Sequence, residues 1–241
     1  MIRFLVAVLT VGLFAGATAY PGELLTNSAR FTNAPKWLNL SRVNRVSESV
    51  TRMMDWSVRR VEVQWFSSQA EFEGAHSLGP FPVAVSQHSR NRILLGPKVN
   101  EGNFDRVFAH EMAHISSAQK YKGAIPQWLE EGVANYVAQF GKVDYVKMMK
   151  HPLPDDVTLL SHPVRGSEEE VANRYAASQA LIEMIASRCD FRNLLRISVR
   201  RKMENYLENI CRIKDINQSF RDWVKEQAAK TSEKNSGVRH P

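Results

Sequence analysis

Apolar positions recur along the chain in two rhythms, and the rhythm changes near residue 100. Val43, Val46, Val50, Met53 and Met54 fall at helical spacing and predict a helix to about Trp56, capped by Ser41 or Asn44. Val61, Val63 and Trp65 alternate with polar neighbours within 58–66 and predict a strand. Ser68 opens a short helix (SQAEFEGA), and Gly79-Pro80-Phe81-Pro82 is a turn. Phe81 to Gln87 and Asn91 to Leu95 read as two further strands joined through His88-Ser89-Arg90. His88 invites a ligand reading, but a histidine in a turn is more often solvated. The stretch from Tyr20 to Ser41 reads as irregular.

Beyond Gly96-Pro97 the spacing is helical. One helix is predicted from Asn103 or Asp105 to about Tyr121, and a second from Gln127 or Trp128 to Phe140, with Gly141 as its stop. A Pro-rich loop covers Leu153 to His162. Ser167 caps a helix whose first turn is acidic and which carries Tyr175, Ala176, Leu181, Met184 and Ile185 inward. Further helices are predicted from Phe191 to about Arg201 and from Asn205 to Lys225, followed by a polar, frayed end, Ala228 to Pro241. Strands first and helices afterwards predict an α+β fold. In it, a lobe with a small sheet (20–100) faces a mainly helical lobe (101–227) across a cleft, and 228–241 form a flexible tail.

Composition narrows the setting. Hydrophobic residues at 44% and charged residues at 24% are ordinary globular values over 241 residues. The net charge of +7 favours contact with an anionic envelope surface, while no nucleic-acid-binding module is recognisable. Arg3, the apolar run Phe4 to Phe14 and Ala17-Thr18-Ala19 have the layout of a secretory signal peptide cleaved after Ala19, which predicts a secreted or periplasmic protein. In such a compartment the only two cysteines, Cys189 and Cys211, could pair or remain two buried thiols.

The chemistry concentrates in AHEMAHISSAQKYKGAIPQWLEEGVANY. Helical residues four apart share a face, so His110 and His114 of the H-E-x-x-H pattern can bring two imidazole nitrogens to one point, with Glu111 beside it. Two neutral imidazoles and a third ligand, with one position left open, are what catalytic Zn2+ requires. The third ligand is expected from the next helix, as Glu130 or Glu131. Adjacent helical residues point about 100° apart, so only one of them can face the metal, and spacing does not say which.

HEMAH followed by PQWLEEGVANY resembles the gluzincin metallopeptidases, particularly their short extracytoplasmic "peptidase MA-like" members. The W-L-x-E-G-x-A stretch is also similar to that of aminopeptidase-N-type enzymes. The resemblance implies zinc held by His110, His114 and Glu131, the glutamate before the glycine, with Glu111 as general base for attack of water on a peptide substrate. It further implies a strand that pairs with the bound peptide, here Asn91, Arg92, Ile93, Leu94 and Leu95. Tyr175, in Tyr175-Ala176-Ala177-Ser178, is implied as electrophile for the oxyanion; the same tyrosine could simply pack in a helix interface. Asn135 could accept from the second nitrogen of a ligating histidine. The chain departs from the aminopeptidases in a slightly shorter His114–Glu131 separation and in lacking G-x-M-E-N before the metal helix. Endopeptidase action therefore stays open. The alternatives are a non-catalytic envelope-binding module on the same fold and a zinc amidase acting on a cell-wall amide.

Overall fold

The strands Leu24–Leu25 (β1), Ala29–Thr32 (β2), Val61–Trp65 (β3), Ala84–Gln87 (β4) and Arg92–Leu95 (β5) form one sheet in the order β1-β2-β3-β5-β4. The central β2, β3 and β5 are parallel, while β1 and β4 run antiparallel to their neighbours. This computed structural model describes residues 22–138, 142–160, 167–199 and 203–235. The predicted signal peptide, the Gly141 stop and the last residues of the predicted tail lie outside them.

Nine helices follow or separate the strands among the described residues: Leu40–Met54 (α1), Gln69–Gly74 (α2), Phe104–Tyr121 (α3), Gln127–Ala138 (α4), Tyr145–Met148 (α5), Glu168–Ala186 (α6), Phe191–Ser198 (α7), Met203–Asn209 (α8) and Ile216–Asn235 (α9). The fold is α+β, with the sheet in the first half and helices dominating the second. Caps fix several starts. The α1 cap is Asn39, two residues before the expected Ser41, its side chain accepting from Arg42 N–H at 3.0 Å. Ser68 caps α2, and Ser167 with Glu170 closes a reciprocal capping box on α6.

Three sequence expectations are corrected. The stretch read as irregular contains β1 and β2: Ala29 and Phe31 are buried between exposed Arg30 and Thr32, and β2 is completed by pairing with β3, 32 positions away in register. The helix expected over Asn205 to Lys225 breaks into α8 and α9, with Arg212 at φ 59° between them and Ile213 N–H turned back to the Leu207 carbonyl. The expected tail is helical through Asn235, supported by a Lys230–Glu226 pair at i,i+4 spacing.

One apolar core joins the two predicted lobes, running from Phe31 and Trp65 through Phe104 and Phe108 to Leu181, Ile185 and Phe220. α3 forms its axis. Phe104 stacks on Trp65 at 5.8 Å and on Phe108 at 5.2 Å, and Phe108 meets Phe31 at 5.4 Å. Full burial of each such side chain is worth roughly 1.5–3 kcal/mol, so sheet and helix fix one another. Asp105 in the first turn of α3 receives Arg42 at 2.6 Å and Arg45 at 2.9 Å from α1. On the other face of the sheet, α2 covers Leu94 and Val85 with Phe72. Farther along, Trp223 Nε1 donates to Tyr145 Oη (3.0 Å), which donates to Glu183 (2.6 Å), tying α9, α5 and α6 together. Cys189 and Cys211 are joined in a disulfide between the end of α6 and the turn after α8. Among the described residues no helix is long and apolar enough to cross a membrane.

Candidate metal centre

α3 is buried on nearly every side, and its apolar residues hold His110, Glu111 and His114 inside the protein, each under 10% exposed. Four residues of helix bring the two rings together: Nε2 of His110 lies 3.1 Å from Nε2 of His114. The chain then reverses. Lys122 and Gly123 take positive φ (53° and 75°), and Pro126 starts the next helix by accepting from Leu129 and Glu130 N–H at 3.0 Å. α4 returns along α3 and delivers two carboxylates.

They take different places. Glu131 stands across the two Nε2 atoms, Oε1 at 3.5 Å from His114 and Oε2 at 3.8 Å from His110. Glu130 reaches the other nitrogen of His114, with Oε1 3.1 Å from Nδ1. The choice that spacing leaves open is resolved geometrically: the residue facing both Nε2 atoms is Glu131, and its neighbour holds a ring.

The donor set fits zinc. Tetrahedral zinc with bonds of about 2.0–2.1 Å to nitrogen and oxygen places its donors roughly 3.3–3.4 Å apart. The Nε2–Nε2 separation of 3.1 Å, and the approaches of Glu131 Oε1 to His114 (3.5 Å) and of its Oε2 to His110 (3.8 Å), bracket that spacing. The field favours a cation as well. Burial alone would lower the His114 pKa, but Glu131 and Glu130 push it well above the ordinary imidazole value. Carboxylates that hold a proton so firmly on the ring can hold a divalent cation in its place.

Glu111 stands beside this group without sharing it. Burial, with the charge of Glu131 adding to it, pushes its carboxyl up to about 7, while His114 and hydrogen bonds from Ser86 pull the other way. Ser86 belongs to β4. Val83, at the approach to that strand, accepts from Gly96 N–H, so by alternation the backbone groups of Ser86 point away from β5, where Glu111 lies. A carboxylate titrating near neutrality is suited to accept and return a proton.

The remaining predicted residues are placed as follows. The Tyr175 ring on α6 lies with its centroid 6.4 Å from that of His110. Burial, together with Glu131 and Glu111, raises its phenol, so that it stays a proton donor. Asn135 is fully buried, and its Nδ2 lies 3.3 Å from Ser178 Oγ, linking α4 to α6; the acceptor for the second nitrogen of His114 is Glu130 instead. The expectation for Asn91, Arg92, Ile93, Leu94 and Leu95 is corrected. β5 pairs with β3 on one side and β4 on the other, so both its edges are taken, and Asn91 is a left-handed turn residue at φ 49°. The strand with a free edge beside α3 is β4, which pairs only with β5 among the described residues.

Sequence reasoning missed the role of Glu130 as partner of His114 Nδ1, and missed Ser86 altogether. The first was within reach, because a ligating histidine needs an acceptor on its second nitrogen and a glutamate adjacent to the ligand is the nearest one. Ser86 carries no signal in the sequence.

The glycine after Glu131 has a packing role. A Cβ on Gly132 would come 2.7 Å from Ile182 Cγ1 and 3.0 Å from the Ser178 carbonyl oxygen, where α4 meets α6. Neither neighbour is the loose end of a side chain. Gly132→Ala is therefore expected to lose about 1–3 kcal/mol to overpacking, against a helix-propensity gain of about 1 kcal/mol at most. Urea denaturation of the metal-free protein would measure the net loss; a raised midpoint, the propensity gain without the overpacking, would show that α4 and α6 can separate freely.

No family model matches this chain, and no curated protein matches it.

Proposed function

We propose that the protein is an exported zinc-dependent peptidase of the gluzincin type. The observation that carries this reading is the convergence of His110 Nε2, His114 Nε2 and Glu131 within a few ångströms, beside a buried carboxylate that does not share their point of convergence. His110, His114 and Glu131 would hold the zinc. When bound, zinc supplies a Lewis acid that polarises a carbonyl and acidifies a water.

The remaining work falls to the chain. Glu111 takes a proton from the attacking water on a carboxylate oxygen and returns it to the leaving amine. Ser86 fixes the direction of that carboxylate by donating to it. The Tyr175 phenol, kept protonated by its surroundings, donates to the oxygen of the tetrahedral intermediate. An extended peptide can add to the open edge of β4, a mode in which main-chain groups bind and alternate side chains are read. Glu130 keeps His114 in the tautomer that leaves Nε2 free.

The test is digestion of a mixed peptide library by purified protein of measured zinc content. About one equivalent of zinc is expected, with cleavage lost on chelation and restored by zinc. A fully zinc-loaded protein that cuts no peptide would reject the peptidase reading and leave an amidase or a binding module on the same fold.

A further inference from the structure

Two residues that the proposed reaction does not need for chemistry approach His114 together. Glu130 Oε1 lies 3.1 Å from Nδ1 of that ring. His88, on the short 3-10 turn His88–Arg90 between β4 and β5, brings its ring centroid to 6.0 Å from that of His114. One donor atom from each of His88, His114 and Glu130 can be chosen so that all lie within 4.8 Å of one another. The three come from separate elements, the β4–β5 turn, α3 and α4, each anchored by its own contacts. Asn91 N–H closes the turn on the His88 carbonyl at 3.1 Å, and Ser86 Oγ holds His88 Nε2 at 3.2 Å. Orienting His114 explains Glu130 alone. It gives no reason for a second imidazole within reach of both.

We propose that His88, Glu130 and Nδ1 of His114 form a second, weaker site for a divalent transition-metal cation, and that filling it depresses turnover at the inner site. The donor set, two imidazoles and a carboxylate, is that of the inner site and suits zinc. The setting differs: His110, His114 and Glu131 are largely enclosed, whereas His88 is exposed, so this site opens to solvent. A cation at Nδ1 replaces the proton that Nδ1 donates to Glu130. That proton would leave to solvent, with Nδ1 of His114 then serving the outer site and Nε2 the inner one. The cost of removing the proton makes the outer site the weaker of the two. Its filling turns the Glu130 carboxylate from ring to cation, and so alters the ligand strength of His114 toward the inner zinc.

This proposal rests on the inner site being a metal site, and equilibrium dialysis of the purified protein against rising zinc separates the two readings. Wild type is expected to hold one equivalent through extensive washing and to take up a second at higher zinc, with peptide hydrolysis falling over the same range. His88→Ala, and His88→Gln, which can keep a hydrogen bond to Ser86, are expected to retain the first equivalent and to weaken the second by at least about tenfold. A wild-type protein that stops at one equivalent overturns the outer site and leaves the inner one standing. A second equivalent bound equally well by both His88 variants overturns it too. Failure of wild type to hold any zinc removes both sites.

Discussion

Glu111→Gln is expected to leave zinc bound and to reduce peptide hydrolysis by about 10²–10⁴-fold, the usual worth of a positioned general base. The substitution keeps the shape of a side chain that is only 7% exposed, and it touches none of the three donors. The amide oxygen can still accept from Ser86. What it cannot do is take a proton from water. The same change should alter stability with a definite sign. A carboxyl raised from 4.5 to about 7 binds its proton more readily in the folded than in the unfolded chain. Folding stability therefore falls as pH climbs from the unfolded toward the folded value, by up to roughly 3 kcal/mol. Glutamine has no such term. Metal-free Glu111→Gln should then be more stable than metal-free wild type at pH 8, with the difference fading toward pH 4.5, as chemical denaturation at the two ends would record. A zinc-loaded variant that cleaves peptides at the wild-type rate would remove Glu111 from the mechanism.

How much of this could be read in advance differs from element to element. The α3 helix was legible because two signals coincide in it, an apolar stripe at helical spacing and two histidines one turn apart. The sheet was only partly legible. β2 alternates over just Ala29–Thr32, too few residues to stand out, and what makes it a strand is its distant parallel partner β3. The order of β4 and β5 reverses in space, so the later strand lies inside and the earlier one at the edge. One clue was present. Ile93, Leu94 and Leu95 are apolar in succession, as befits a strand covered on both faces, whereas β4 ends in the polar Ser86-Gln87. At the site, spacing delivered the two imidazoles and narrowed the third donor to two neighbours. The division of labour between those neighbours depends on where α4 sits along α3, and no one-dimensional pattern contains that.

That division yields the sharpest remaining contrast. Glu131→Gln is expected to lose stoichiometric zinc on dialysis, because the carboxylate facing both Nε2 atoms supplies the third donor and the negative charge at the point of convergence. Glu130→Gln is expected to retain the metal with an affinity about 10–100-fold lower, since its carboxylate acts only through His114 Nδ1. Both side chains are largely shielded, at 14% and 16% exposure, so neither effect should be masked by solvent screening. The two substitutions should also fail to add, because Glu130 has little left to tune once the third donor is gone. Competition against a chelator of known zinc affinity would rank the wild type and three variants. The opposite ranking, with zinc lost from Glu130→Gln and kept by Glu131→Gln, would move the third donor one residue back. His114 would then have to bind through Nδ1 and His110 through Nε2. The 3.1 Å approach of the two Nε2 atoms would no longer mark the place where a cation sits.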